Sequence, residues 1–148
     1  MKVVADTGPL LATLNRRDDA HALALVLVTQ LGRDLVVPEP VIVEVDHLAR
    51  SRVGAHSARL FLAALDAGEH EVGYLSPGLL RRSIEIDRRY GDLNLGLADA
   101  SVMALADQRE LPILTFDFAH FRATRPPRGH WRLVVDEARF AASTTQRR

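Results

Sequence analysis

Lys2-Val3-Val4-Ala5-Asp6-Thr7-Gly8-Pro9 begins as a short apolar run and ends in a turn. Thr7 is a residue type that caps helices and Pro9 suits a first helical turn, so these eight residues predict strand, turn and helix in succession. The same alternation continues along the chain. Residues 20–31, closed by Gly32, are long enough for a helix, although their Leu/Val alternation also suits a strand. Further strands are expected at Asp34–Val37, Glu71–Tyr74, Pro112–Phe116 and Trp131–Val135, and further helices at 40–52, 55–67, 77–90 and 97–109. A short turn is expected at Phe118–Phe121. Strands alternating with helices predict an α/β fold, a three-layer α/β/α sandwich around a central, mostly parallel sheet. In such sheets, sites form beyond the carboxyl ends of the strands, where Asp6 and Asp117 both lie.

At 148 residues the chain is one domain's length, and a single core buries roughly 70% of the surface that its unfolded form exposes. One domain over residues 1–140 is expected, followed by a polar tail, 141–148, that frays. Hydrophobic residues make up 47% and charged residues 26%, a globular balance. Cysteine is absent, which removes disulfides and thiolate metal ligands and suits a reducing compartment. The longest apolar stretch, Ala22–Val28, is far short of the roughly 20 residues that span a bilayer, so no membrane partner and a cytoplasmic location are expected. Net charge is zero, which excludes broad electrostatic binding of nucleic acid and leaves local patches. Of the 19 basic residues Lys2 is the only lysine; arginine suits bidentate phosphate contacts, and GC-rich codons give the same bias.

Four acids stand out. Asp6 and Asp117 have two readings each, helix cap or turn residue on one side and site residue on the other. Glu44 and Asp99 are harder to dismiss. Helical spacing places Glu44 at the edge of the stripe Val41, Val45, Leu48 and Ala49, and Asp99 on the same face as Val102, Met103 and Ala106. Four carboxylates converging to about 5 Å at an effective dielectric of about 20 would repel by roughly 3 kcal/mol per pair, so a cation must sit among them. With no cysteine and no histidine at useful spacing, a site of carboxylate oxygens selects hard Mg²⁺ or Mn²⁺, which often meets phosphate.

The ordered set Val4-Ala5-Asp6-Thr7, Pro40–Val45 with Glu44, Leu97-Ala98-Asp99-Ala100, and Thr115-Phe116-Asp117 with Phe121 resembles the PIN-domain ribonucleases, specifically VapC-type toxins of bacterial toxin–antitoxin pairs. The resemblance implies one or two Mg²⁺ or Mn²⁺ ions, cleavage of RNA (tRNA or rRNA), a cognate VapB-type antitoxin that occludes the site, and a homodimer. It further implies Asp6 and Asp99 as main metal ligands, Asp117 completing the set directly or through water, and Glu44 holding a second metal or orienting the nucleophile. Thr7 and Thr115 either hydrogen-bond these ligands or simply cap and turn. Two other readings stay open: a solitary RNA-processing nuclease of the same fold, and a non-catalytic Mg²⁺-binding α/β module of receiver type.

Outside this set, Asp92 is a turn former or a rim acid. Arg81, Arg82, Arg88 and Arg89 lie within helical reach of Glu85, as on a solvated salt-bridge face. Arg122, Arg125 and Arg128 are the better candidates for substrate contact. The six histidines show no zinc spacing, and Trp131 is expected in the core.

Overall fold

In the computed structural model, which describes residues 1–145, β1 (Val3–Ala5) is buried on both faces at the interior of the sheet. β2 (Leu35–Pro38) and β4 (Ile113–Leu114) pair with it on either side, and β3 (Glu71–Gly73) flanks β2. All pairs are parallel, in the order β3-β2-β1-β4, with Val3 opposite Leu35, Val4 opposite Val36 and Ile113, and Ala5 opposite Leu114. Continuous apolar runs such as Leu35-Val36-Val37 are what two covered faces require.

Between the strands run α1 (Thr7–Leu14), α2 (His21–Leu31), α3 (Glu39–Arg52), α4 (Ala55–Asp66), α5 (Pro77–Arg89) and α6 (Gly96–Arg109). The stretch 20–31 is thus a helix. α6 is buried continuously from Ala100 to Ala106, so alanines close the faces that Val102, Met103 and Leu105 do not fill. It packs on β1 and β2 and against α3 and α5. Its approach to the sheet explains Gly73, where a Cβ would lie 2.8 Å from Leu105 Cδ2 and 3.2 Å from Val36 Cγ1. The predicted stripes are real faces: Val41, Val45 and Ala49 are buried on α3, and Val102, Met103 and Ala106 on α6.

Differences concentrate after β4. The Phe118–Phe121 turn is the start of a six-residue helix, α7 (Phe118–Ala123), because Asp117 caps it through His120 N. The strand expected at Trp131–Val135 is reduced to a single parallel bridge between Leu133 and Ile113, since the two-residue β4 offers no longer ladder. Trp131 turns inward as expected, edge-on to Phe121 and donating to Thr124 Oγ1 at 3.0 Å. The stretch set aside as tail enters α8 (Glu137–Thr145), while residues 146–148 lie outside the described residues. At the N-terminus the helix cap is Asp6, whose side chain accepts from Thr7 N, and Thr7 is the first helical residue.

Candidate active site

Asp6 follows β1 directly and is 5% exposed. Its Oδ1 accepts from Thr7 N at 2.8 Å and its Oδ2 from the Thr115 hydroxyl at 2.7 Å. Thr115, fully buried after β4, also accepts from Asp117 N at 3.0 Å, so one hydroxyl ties two acidic strand ends together. The Thr7 hydroxyl donates to Glu44 Oε2 at 2.6 Å, linking α1 to α3. Of the two readings of Thr7 and Thr115, the structure shows the hydroxyls bonded to the acids. Asp6 and Asp117 each cap a helix with one oxygen, and both line the same cleft.

Asp99 occupies the first turn of α6. Its Oδ2 lies 3.1 Å from His120 Nδ1, which lies 2.8 Å from Asp117 Oδ2. One ligand atom from each of Asp99, Asp117 and His120 falls within 4.8 Å of the others. His120 Nδ1 is buried but satisfies hydrogen-bond geometry with neither carboxylate. Asp6, Glu44, Asp99 and Asp117, contributed by four separate segments, all line one open cleft of about 840 Å³.

Electrostatics follow from this crowding. Burial raises the Asp6 carboxyl above the ordinary 3.8, with the Thr115 and Thr7 hydrogen bonds opposing and the Asp117 and Glu44 charges adding. Burial and then the Asp6 charge push Asp99 up to about 7, with His120 opposing and Glu44 and Asp117 adding. Among the described residues, the cleft therefore holds more negative charge than its neighbours compensate. Oxygen donors with one imidazole beside them are a donor set for a hard divalent cation.

The other candidates are sorted by position. Arg122, on α7, lines the cleft, whereas Arg128 lines a separate depression beside Trp131 and the Arg125 backbone is engaged with the Tyr90 hydroxyl. Arg82 pairs with Glu85 at 3.2 Å and lies 3.9 Å from Asp107, as on a solvated face. Asp92 is exposed in a 3-10 turn, Gly91–Leu93, and is not among the residues that line the cleft. His120 is the residue that sequence reasoning missed. Its signal was the i,i+3 spacing from Asp117, visible only if Phe118–Phe121 is taken as helical.

A family model for the PIN domain matches residues 3–125. This chain belongs to the PIN-domain family. Among relatives, Ribonuclease VapC26 of Mycobacterium tuberculosis is 33% identical over 125 residues, 84% of this chain and 93% of that protein. Among solved structures, VapC20 of Mycobacterium tuberculosis, described as a sarcin-ricin loop cleaving toxin, is similar to this PIN domain with a TM-score of 0.71 at 19% identity, over 80% of this chain and 94% of that one. A toxin–antitoxin complex from Klebsiella pneumoniae gives 0.59 at 21%, covering 80% and 91%. VapBC2 from Rickettsia felis, bound to a promoter DNA fragment, gives 0.60 at 15%, covering 86% and 94%. At these identities the structural likeness is one of fold. The match of the PIN model ends at Arg125, so α8 lies outside it.

Proposed function

We propose that this PIN domain is a Mg²⁺- or Mn²⁺-dependent endoribonuclease that hydrolyses RNA phosphodiester bonds, the toxin of a VapBC-type pair whose action blocks translation or growth. The observation that carries this reading is the convergence of Asp6, Glu44, Asp99 and Asp117 in one cleft, with Asp99 pushed up to about 7 by burial and like charge. Asp6, Asp99 and Asp117 hold the cation, and Glu44 holds a second one or orients the attacking water. A bound divalent cation supplies Lewis-acid neutralisation of phosphate and leaving-group charge. The protein's own part is positioning. Thr115 and Thr7 N fix both oxygens of Asp6, the Thr7 hydroxyl aims Glu44, and the cap to His120 N fixes Asp117. Arg122 offers a guanidinium to a phosphate at the rim.

The substrate is tRNA or rRNA. A VapB-type antitoxin is the partner, supported by the toxin–antitoxin assemblies among the similar structures. A homodimer belongs to the same reading, and the exposed Val43 and Leu97, in an apolar groove that includes Glu44, supply a face for it. No helix among the described residues is long and apolar enough to cross a membrane, and the site of action is the cytoplasm.

The test is incubation of purified, antitoxin-free protein with structured cellular RNA. Discrete cleavage with Mg²⁺ or Mn²⁺ that stops on chelation is expected; intact RNA with either metal overturns the reading. A finer expectation concerns Thr115→Val, which keeps shape but strips Asp6 Oδ2 of its donor. Mn²⁺ affinity by calorimetry, and cleavage with it, should fall about 10- to 100-fold. Unchanged affinity would show that Asp6 needs no such support.

A further inference from the structure

Helix α8 forms one wall of the acidic cleft through Glu137, Phe140 and Thr144. It packs on α2, and two of its contacts face the cleft. The Glu137 carboxylate pairs with the Arg122 guanidinium. The Phe140 ring lies 4.7 Å from Phe116 and 5.5 Å from Phe118, over a floor of Ala12, Ala20 and Ala24.

What lies beneath those contacts is chemically specific. Among the described residues lining the cleft, Arg122 is the one arginine or lysine, and Phe116 and Phe118 are its other aromatic rings. A planar guanidinium that accepts a phosphate fork and an aromatic face that stacks a base are the two elements of recognition for an unpaired nucleotide. α8 presents a carboxylate and an aromatic ring, three residues apart on one helical turn, to those same two groups.

We propose that Arg122 and Phe116 form a subsite for an unpaired nucleotide of the RNA, next to the metal-binding carboxylates, and that α8 covers it with Glu137 in the place of the phosphate and Phe140 in the place of the base. This deepens the ribonuclease reading and rests on it. The cover is weakly held: Arg122 and Glu137 are 62% and 58% exposed, so their pair is screened by salt and contributes little, and a nine-residue helix is marginal apart from its packing. An incoming strand therefore exchanges one carboxylate for a phosphate and one ring for a base. A short helix held over the cleft by an exposed ion pair and a half-buried ring opens locally at small cost.

The test uses the full-length chain carrying Asp99→Asn, with Mg²⁺, and a fluorescently labelled single-stranded RNA ten-mer read by anisotropy. Glu137→Gln is expected to tighten binding about 3- to 10-fold, and Phe140→Ala to tighten it as well. Adding Arg122→Ala should erase the gain from Glu137→Gln. Glu69→Gln, the same charge change at an exposed residue that does not line the cleft, should alter binding less than 2-fold. In the chain with Asp99→Asn alone, α8 amides should exchange with deuterium faster once RNA is added. Unchanged or weaker binding by Glu137→Gln overturns the proposal, as does an equal gain from Glu69→Gln, a gain that survives loss of Arg122, or greater protection of α8 with RNA. Phe140→Ala removes an anchoring ring and is checked by its thermal melt, while Glu137→Gln is a surface change that leaves the test standing. Wild-type cleavage without the Glu137→Gln gain sinks this proposal alone; absence of both cleavage and RNA binding sinks the ribonuclease reading with it.

Discussion

Asp99→Asn is expected to lower RNA cleavage by about three orders of magnitude while raising the stability of the metal-free protein. The two effects have one cause. Asp99 is a carboxylate held in a half-buried position beside Asp6, Glu44 and Asp117, and burial is the largest contribution to its raised pKa. Asparagine keeps the shape and removes the charge, so the repulsion and the desolvation of an ion both disappear. On the proposed reading the cation would lose a principal ligand, and several kcal/mol of charge stabilisation in the transition state would go with it; about 4 kcal/mol corresponds to about 10³ in rate. Opposite signs for activity and stability separate this outcome from simple misfolding, which would lower both. Cleavage of structured RNA and a urea titration at pH 8, each with wild type in parallel, make the measurement. A variant that cuts as fast as wild type removes Asp99 from the site, and one that cuts slowly but is also destabilised points to a structural role.

What made Asp99 legible in the sequence was its company. Val102, Met103 and Ala106 mark the inward face of α6, and an acid on that face has to be explained. Glu44 was legible in the same way, from Val41, Val45 and Ala49. The opening strand, turn and helix could be read because Asp6, Gly8 and Pro9 punctuate an apolar run. The sheet order was not legible, since β3 and β4 are three and two residues long and their pairing is set by the helices that cover them. Nor was α7, a six-residue helix with too few positions for a period, and His120 was missed with it. α8 escaped because Ser143, Thr144 and Thr145 read as solvated chain. The one aromatic residue in its docking, Phe140, meets Phe116 and the Ala12, Ala20 and Ala24 cluster, all distant in sequence.

Stability of the metal-free protein is expected to fall as pH rises from about 4 to about 7, against the usual trend for acidic groups, and Mg²⁺ is expected to abolish the fall. In the unfolded chain Asp99 releases its proton near 3.8; in the folded chain it keeps it to about 7. Across that window the folded state binds more protons than the unfolded state, so each step up in pH favours unfolding. A carboxyl moved from 3.8 to about 7 corresponds to roughly 4 kcal/mol between its two protonation states, an upper figure for Asp99. Asp6, also raised by burial, contributes with the same sign. Glu71 opposes them, because Arg109 and Lys2 hold its carboxyl below 4.5, but its contribution is complete above that pH and leaves the interval from 5 to 8 to the cleft. Urea denaturation in chelator at pH 5, 6.5 and 8 measures the slope, and millimolar Mg²⁺ at pH 8 should recover most of the loss by binding the ionised carboxylates of the folded state alone. Asp99→Asn should remove most of the pH slope and most of the Mg²⁺ effect together. A flat or rising profile in wild type would mean that the carboxylates are already compensated within the protein, and the case for a cation in the cleft would fall with it.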